Sequence, residues 1–77
     1  MTGRQIRAAR ALLDWRAEVL AEAAKVGINT IRRAEADDGP VKMTAANARA
    51  VQDALEAAGV EFIAENGGGD GVRMRKA

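Results

Sequence analysis

The stretch VGINTIRRAEADDGP, residues 26–40, holds a turn, two adjacent arginines, two adjacent acids and a Gly-Pro stop. Lys25-Val26-Gly27 reads as the turn. Ile28 to Ala36 reads as a short helix with Ile31 as its clearest inward residue. Asp37-Asp38-Gly39-Pro40 ends that helix, because Pro40 cannot continue it and disfavours helical geometry at Gly39. Thr30, Arg32 and Arg33 then fall on or beside an exposed edge. That edge is a contact surface, or its arginines are plain solvated ones bonded to Glu35 or Asp37.

Working towards the N-terminus, Ala17 to Ala24 forms a second helix with Leu20, Ala21 and Ala24 inward. A break at Asp14-Trp15 precedes it. Asp14 is a candidate cap if that helix begins at Trp15, whereas Arg16 offers no side-chain acceptor. A first helix runs from Thr2, its cap, to Leu13, with Ile6, Ala9 and Leu13 inward. Arg4, Arg7 and Arg10 recur three apart on its flank, as a basic edge or as a solvated face.

Beyond Pro40, Thr44 caps a fourth helix that stops at Gly59. Ala48, Val51, Leu55 and Ala58 form its apolar stripe; Arg49, Gln52, Asp53 and Glu56 form its wet side. The period then changes to two. Val60, Phe62 and Ala64 share one face, and Val72 and Met74 alternate with Arg73 and Arg75 after the turn NGGGDG. This reads as a β-hairpin, with Glu61 and Glu65 facing Arg73 and Arg75. An isolated hairpin is marginal in water, so it must lie on the helices or meet a second copy. Val60, Phe62, Ile63, Val72 and Met74 are its candidate dimerisation residues, with the fourth helix as the alternative or additional seam. The expected fold is mainly α, with a helical unit over 1–59, its central helix pair at 17–36, and a hairpin unit over 60–77.

Composition narrows the function. The chain has 77 residues, enough for one small domain with little core, and such domains often gain stability by dimerising. Apolar residues make up 48%, aromatics only 3%, and much of the rest is alanine, which suits helices packed closely. There is no cysteine and no histidine, so disulfides, thiolate metal sites and histidine catalysis are excluded. No metal or other cofactor is expected. Asp37-Asp38 and the glycine run are the only seeds of an enzyme. The glycines lack a following Lys-Ser/Thr and helix, so they are not a phosphate loop. The net charge of +1 means that any electropositive surface must come from segregated charges. No apolar run approaches membrane-spanning length, and the first residues lack a signal-peptide core; a cytoplasmic protein is expected.

Two short helices joined by a three-residue turn, among four helices, is helix-turn-helix architecture. The first helix of such a pair braces on the phosphate backbone, and the second enters the major groove. IRAARALLDWRAEVLAEAAKVGINTIRRAEADDGP, within about residues 4–40, resembles the Cro/C1-type (XRE) helix-turn-helix of bacterial and phage repressors. ALEAAGVEFIAENGGGDGVRMRK resembles the tail of small alphaproteobacterial regulators of that family. The resemblance implies a four-helix Cro/C1-like domain and a transcription regulator, usually a repressor, that binds a two-fold double-stranded DNA operator as a homodimer. By position it implies Leu20, Ala21, Val26 and Ile31 in the core, and an ion pair between Arg10 and Glu35. It places base reading on Gly27, Ile28, Asn29, Arg32 and Arg33. Phosphate contacts fall to Arg16, Lys25, Thr30 and Lys42, with Arg10 as a further candidate. The chemistry agrees in part: Arg takes guanine O6 and N7, Asn takes adenine N6 and N7, and Ile28 suits a thymine methyl.

The departures from the pattern cluster at the same edge. Arg16-Ala17 stand where Ser or Thr then Gln is usual, and Lys25 stands where glycine is usual. Gly27 replaces a Ser or Thr cap. Ala34 replaces a leucine, leaving a void or room for a residue such as Met43. Val19 stands at an exposed polar position. With Ile28, Ala17 and the small net charge, it supports an alternative: a degenerate helix-turn-helix that holds a protein partner, as an antiactivator or antitoxin-like module would.

Overall fold

The structure, a computed structural model, describes residues 1–76. It has four helices, α1 (Gly3–Leu13), α2 (Ala17–Ala24), α3 (Ile28–Glu35) and α4 (Ala45–Ala57), then strands β1 (Val60–Ile63) and β2 (Gly71–Met74). About half of the chain is helical. The helices match the sequence expectation to within a residue or so at each end. Ala77, the end of the expected hairpin unit, lies outside the described residues.

Each helix has a local reason. Thr2 caps α1, accepting from the backbone N–H of Gln5, while the Gln5 side chain accepts from the Thr2 N–H. This is a reciprocal capping box. Thr44 caps α4 by accepting from the Asn47 N–H. Asp14 corrects its expectation: it is the left-handed C-cap of α1, at φ 55°, and does not cap α2. Asp tolerates that conformation better than most residues. The N-cap of α2 is Arg16, which makes no side-chain cap bond.

The core lies where the helices meet. Ile6, Ala9, Leu20, Ile31, Val51 and Leu55 are wholly inaccessible, and Ala21, Ala24, Ala34 and Val60 join them. Leu13, Ala48 and Ala58 are only partly covered, and Gln52 on the expected wet side is also half-buried. Ala34 is buried, and Met43 packs against the cluster as one partly buried member. Gly3 shows why α1 begins where it does. A Cβ there would sit 2.0 Å from the Asp37 carbonyl oxygen and 2.2 Å from that of Ala34. The start of α1 therefore abuts the backbone at the end of α3. The Gly3 N–H donates to the Gly39 carbonyl, and the Val41 N–H donates to that of Met1, strapping the N-terminus to the segment after α3.

The hairpin pairs Val60 with Met74, Glu61 with Arg73, Phe62 with Val72 and Ile63 with Gly71. Glu61 and Arg73 form the expected ion pair at 2.7 Å. Glu65 and Arg75 do not. Arg75 lies opposite Gly59 and its side chain donates to the Glu56 carbonyl, while Glu65 accepts from the N–H groups of Gly67 and Gly69 and shapes the turn. The hairpin sits on the helices through buried Gln5, whose amide donates to the carbonyls of Ile63 and Gly71, and through an Arg4–Asp70 ion pair at 2.9 Å.

Overpacking against rigid backbone typically costs about 1–3 kcal/mol. Gly3→Ala is therefore expected to lower the urea midpoint by an amount of that order. Gly71→Ala, with open space around its site, should leave it unchanged; equal midpoints for the two variants would contradict the close approach.

The Asp70 carboxyl is held below its ordinary value, chiefly by its hydrogen bond to Arg4, and that of Asp38 is lowered likewise by Arg7. An unfolded Asp takes up its proton at higher pH than either of these. Their stabilisation is thus present above the unfolded value and lost as pH falls through the folded one. Asp70→Asn should destabilise at neutral pH, and its deficit against wild type should shrink below about pH 4. A deficit that stayed constant into acid would show that the charge contributes nothing.

Candidate nucleic-acid interface

The exposed edge of α2 and α3 is built from two short helices that lack side-chain caps. Arg16 precedes α2 and Gly27 precedes α3, and neither supplies a cap bond. The first-turn N–H groups of both helices are left without protein side-chain acceptors, whereas in α1 and α4 one such group each, that of Gln5 and that of Asn47, is bonded by Thr2 and Thr44. Helix N-termini of this kind favour anions.

The two helices are held at a fixed angle by packed residues beneath them. Leu20, Ala21 and Ala24 of α2 and Ile31 and Ala34 of α3 are buried. Val26, expected in the core, is partly buried and packs on it. With Ile31 and Ala34 inward, helical spacing turns Asn29, Arg32 and Arg33 outward, and all three are exposed. Gly27 is exposed as well, and Thr30 is half-buried. Ile28 departs from expectation: it is half-buried and packs against the core cluster, so it does not stand free as an apolar probe.

The cations divide sharply. The three-apart arginines of α1 are all committed. Arg4 holds Asp70. Arg7 bonds Asp38 and the Glu35 carbonyl. Arg10 grips Glu35 with two bonds, Nε to Oε2 at 2.6 Å and Nη2 to Oε1 at 2.7 Å, and donates to the Trp15 carbonyl at 3.0 Å. Glu35 and its carboxylate bonds raise the Arg10 pKa above its ordinary value. Arg10 is thus removed from the phosphate candidates: all three of its nitrogens already donate within the protein and its charge is matched by Glu35, in the expected ion pair. Lys42 lies 3.8 Å from Asp37 and is exposed. Arg16, Lys25 and Arg33 have no carboxylate within ion-pair distance among the described residues, nor do Arg75 and Lys76 at the end of the hairpin, and Arg32 has only Glu18, 3.8 Å away.

The hairpin candidates divide as well. Val60 is buried in the chain's own core and so offers no surface to a second copy, which corrects its placement among the dimerisation residues. Phe62 and Val72 pack partly against that core, Ile63 is half-buried, and Met74 is exposed. Among the described residues no group of acids could hold a metal, and no helix is long and apolar enough to cross a membrane.

Sequence reasoning missed Gln5, Gly3 and the Arg4–Asp70 and Arg7–Asp38 pairs. Thr2 followed three residues later by Gln5 is a capping-box spacing, so that signal was present. The ion pairs join residues far apart in the chain and left no local trace.

Lys25 ends α2 in the left-handed conformation at φ 58°. A side chain there costs about 1–2 kcal/mol, against roughly 0.5–1 for the extra chain entropy of glycine. Lys25→Gly should therefore raise stability by roughly 0.5–1 kcal/mol in urea unfolding. A loss of stability would mean that the lysine makes compensating contacts. No family model matches the chain, and no curated protein matches it.

Proposed function

We propose that the chain is a sequence-specific DNA-binding transcriptional regulator with a Cro/C1-like helix-turn-helix, acting as a repressor on a two-fold operator as a homodimer. The observation that carries this reading is the segregation of unpaired cations. Among the described residues Arg16 and Lys25, at the two ends of α2, and Arg33, in the last turn of α3, are free of carboxylates, so three of the chain's unpaired side-chain cations meet at the two uncapped helices and the others, Arg75 and Lys76, lie past the hairpin. The arginines of α1, by contrast, are spent on internal bonds.

In this reading α3 lies in the major groove. Asn29, Arg32 and Arg33 read base edges, and Gly27 lets the start of α3 approach closely. Arg16 and the first-turn N–H groups of α2 take a phosphate, which compensates for the absent polar side chain at Ala17. Lys25, Thr30 and Lys42 are the further phosphate contacts. Ile28 supports the groove face from beneath.

The rival reading, a protein-interaction module, needs a contiguous apolar edge. Val19 remains 43% exposed, but Ile28 turns partly inward, which reduces that edge to little more than one residue. Single exposed apolar residues are ordinary.

Selection of bound duplexes from a random pool at near-physiological salt tests the proposal. A short two-fold motif is expected, with half-sites about one helical turn apart. Arg33→Ala should relax preference at one base pair per half-site, at a cost of about 1–3 kcal/mol. Arg73→Ala, in the hairpin, should leave the preference intact. Arg16→Ala should make binding less sensitive to salt, flattening the log–log slope by about 0.9 for each phosphate that Arg16 neutralises. No enriched motif from folded protein overturns the reading.

A further inference from the structure

Arg32 and Arg33 are adjacent, yet their electrostatic settings differ. Arg33 has no carboxylate within reach among the described residues. Arg32 has Glu18, whose Oε2 lies 3.8 Å from its Nη2, and both side chains are 62% exposed. Glu18 stands in the first turn of α2, where the helix dipole favours a negative charge. It is the carboxylate within ion-pair distance of Arg32 among the described residues; the other acid of α2, exposed Glu22, has no such partner there.

This pair has little structural value. Its separation is too long for a hydrogen bond, and an ion pair this exposed adds little to stability. Nothing in the packing requires an acid at position 18, because the buried residues of α2 are Leu20, Ala21 and Ala24. A carboxylate at a phosphate-facing edge also weakens any contact with DNA, since it repels the backbone. Its effects are therefore on orientation and on discrimination.

We infer that Glu18 is a positioning residue for Arg32 that sets sequence specificity. The inference rests on the DNA-binding reading above. Arg32 lies three residues after Asn29 and four after Ile28, so its stem runs along the groove-facing side of α3. Drawn towards Glu18, the guanidinium keeps one edge for the carboxylate and presents the other to a base. That arrangement suits guanine O6 and N7, which accept two parallel N–H bonds. The same negative charge keeps Arg32 from settling on phosphates, the default partner of an arginine on nonspecific DNA. Glu18 thus lowers affinity for random sequence more than for the operator.

Glu18→Gln keeps the shape of the side chain and removes its charge. Operator and random duplexes are titrated with wild type, Glu18→Gln, Arg32→Ala and the double variant, and each protein is put through the random-pool selection. Glu18→Gln should bind random DNA more tightly than wild type and lose up to about fivefold of the preference at one base pair, the most that an exposed ion pair can bias. On the Arg32→Ala background the same substitution should leave that base pair unaffected. Urea midpoints of Glu18→Gln should fall only slightly, from loss of a favourable first-turn charge, and equally on the Arg32→Ala background, whereas the change in base preference should vanish there; a merely structural role of Glu18 would not separate the two. If wild type selects a motif and Glu18→Gln selects the same motif with the same operator-to-random ratio, the inference fails while the DNA-binding reading stands. If wild type selects no motif, both fail.

Discussion

The grip of Arg10 on Glu35 is the constraint on which the rest of the structure turns. One guanidinium bonds both carboxylate oxygens of a residue at the end of α3 and the carbonyl of Trp15 between α1 and α2. It thereby joins three segments at one point. The two side chains retain only 22% and 11% of their exposure, so the pair is largely shielded from water. A two-bond arginine–carboxylate contact in that setting has a fixed geometry as well as a favourable energy. Removing either partner alone would leave the other partly buried and uncompensated, which costs far more than an exposed pair is worth. The orientation of α3, and hence of Asn29, Arg32 and Arg33, follows from this contact and from Ile31 beneath it.

The other arginines of α1 extend the same logic. Arg7 closes the end of α3 by donating to the Glu35 carbonyl and to Asp38, and Arg4 holds the hairpin turn through Asp70. A row of basic residues three apart thus serves as a set of ties from one helix to three other segments. A chain with a net charge of only +1 can carry an electropositive edge for this reason. Its acids are placed against the cations of α1, α4 and the hairpin, and fewer are left to neutralise the edge formed by α2 and α3.

The elements with a strong local signal were legible in the sequence. Helix limits followed from Thr2, Thr44, Pro40 and the apolar spacing, and the hairpin followed from the change of period at Val60. The Arg10–Glu35 pair was legible only through family resemblance, since twenty-five positions separate its members and no local rule links them. Three things were hidden. The role of Gly3 depends on a backbone from another helix passing within 2.2 Å of its would-be Cβ. Asp14 looked like a cap for the helix after it because its side chain suits that task, yet its backbone ends the helix before it. Ile28 and Val60 looked available on pattern alone, and both are drawn inward by tertiary packing, which a pattern of alternation cannot resolve.

The two eight-residue helices of the candidate edge could not persist alone, because isolated helices of that length are marginal in water. They exist because Leu20 and Ile31 are wholly buried between their neighbours. That dependence allows strain where it would otherwise be intolerable. Lys25 keeps a left-handed backbone at the turn between α2 and α3, and α2 and α3 begin without side-chain caps. Each departure weakens the local helix, and each also leaves a charge or an N–H group facing outward. The stability needed to hold such an edge open is supplied from the opposite face of the same two helices. Substitutions on the buried face therefore act on the fold, whereas substitutions at Arg16, Asn29, Arg32 and Arg33 act on what the edge can bind with little effect on the core beneath.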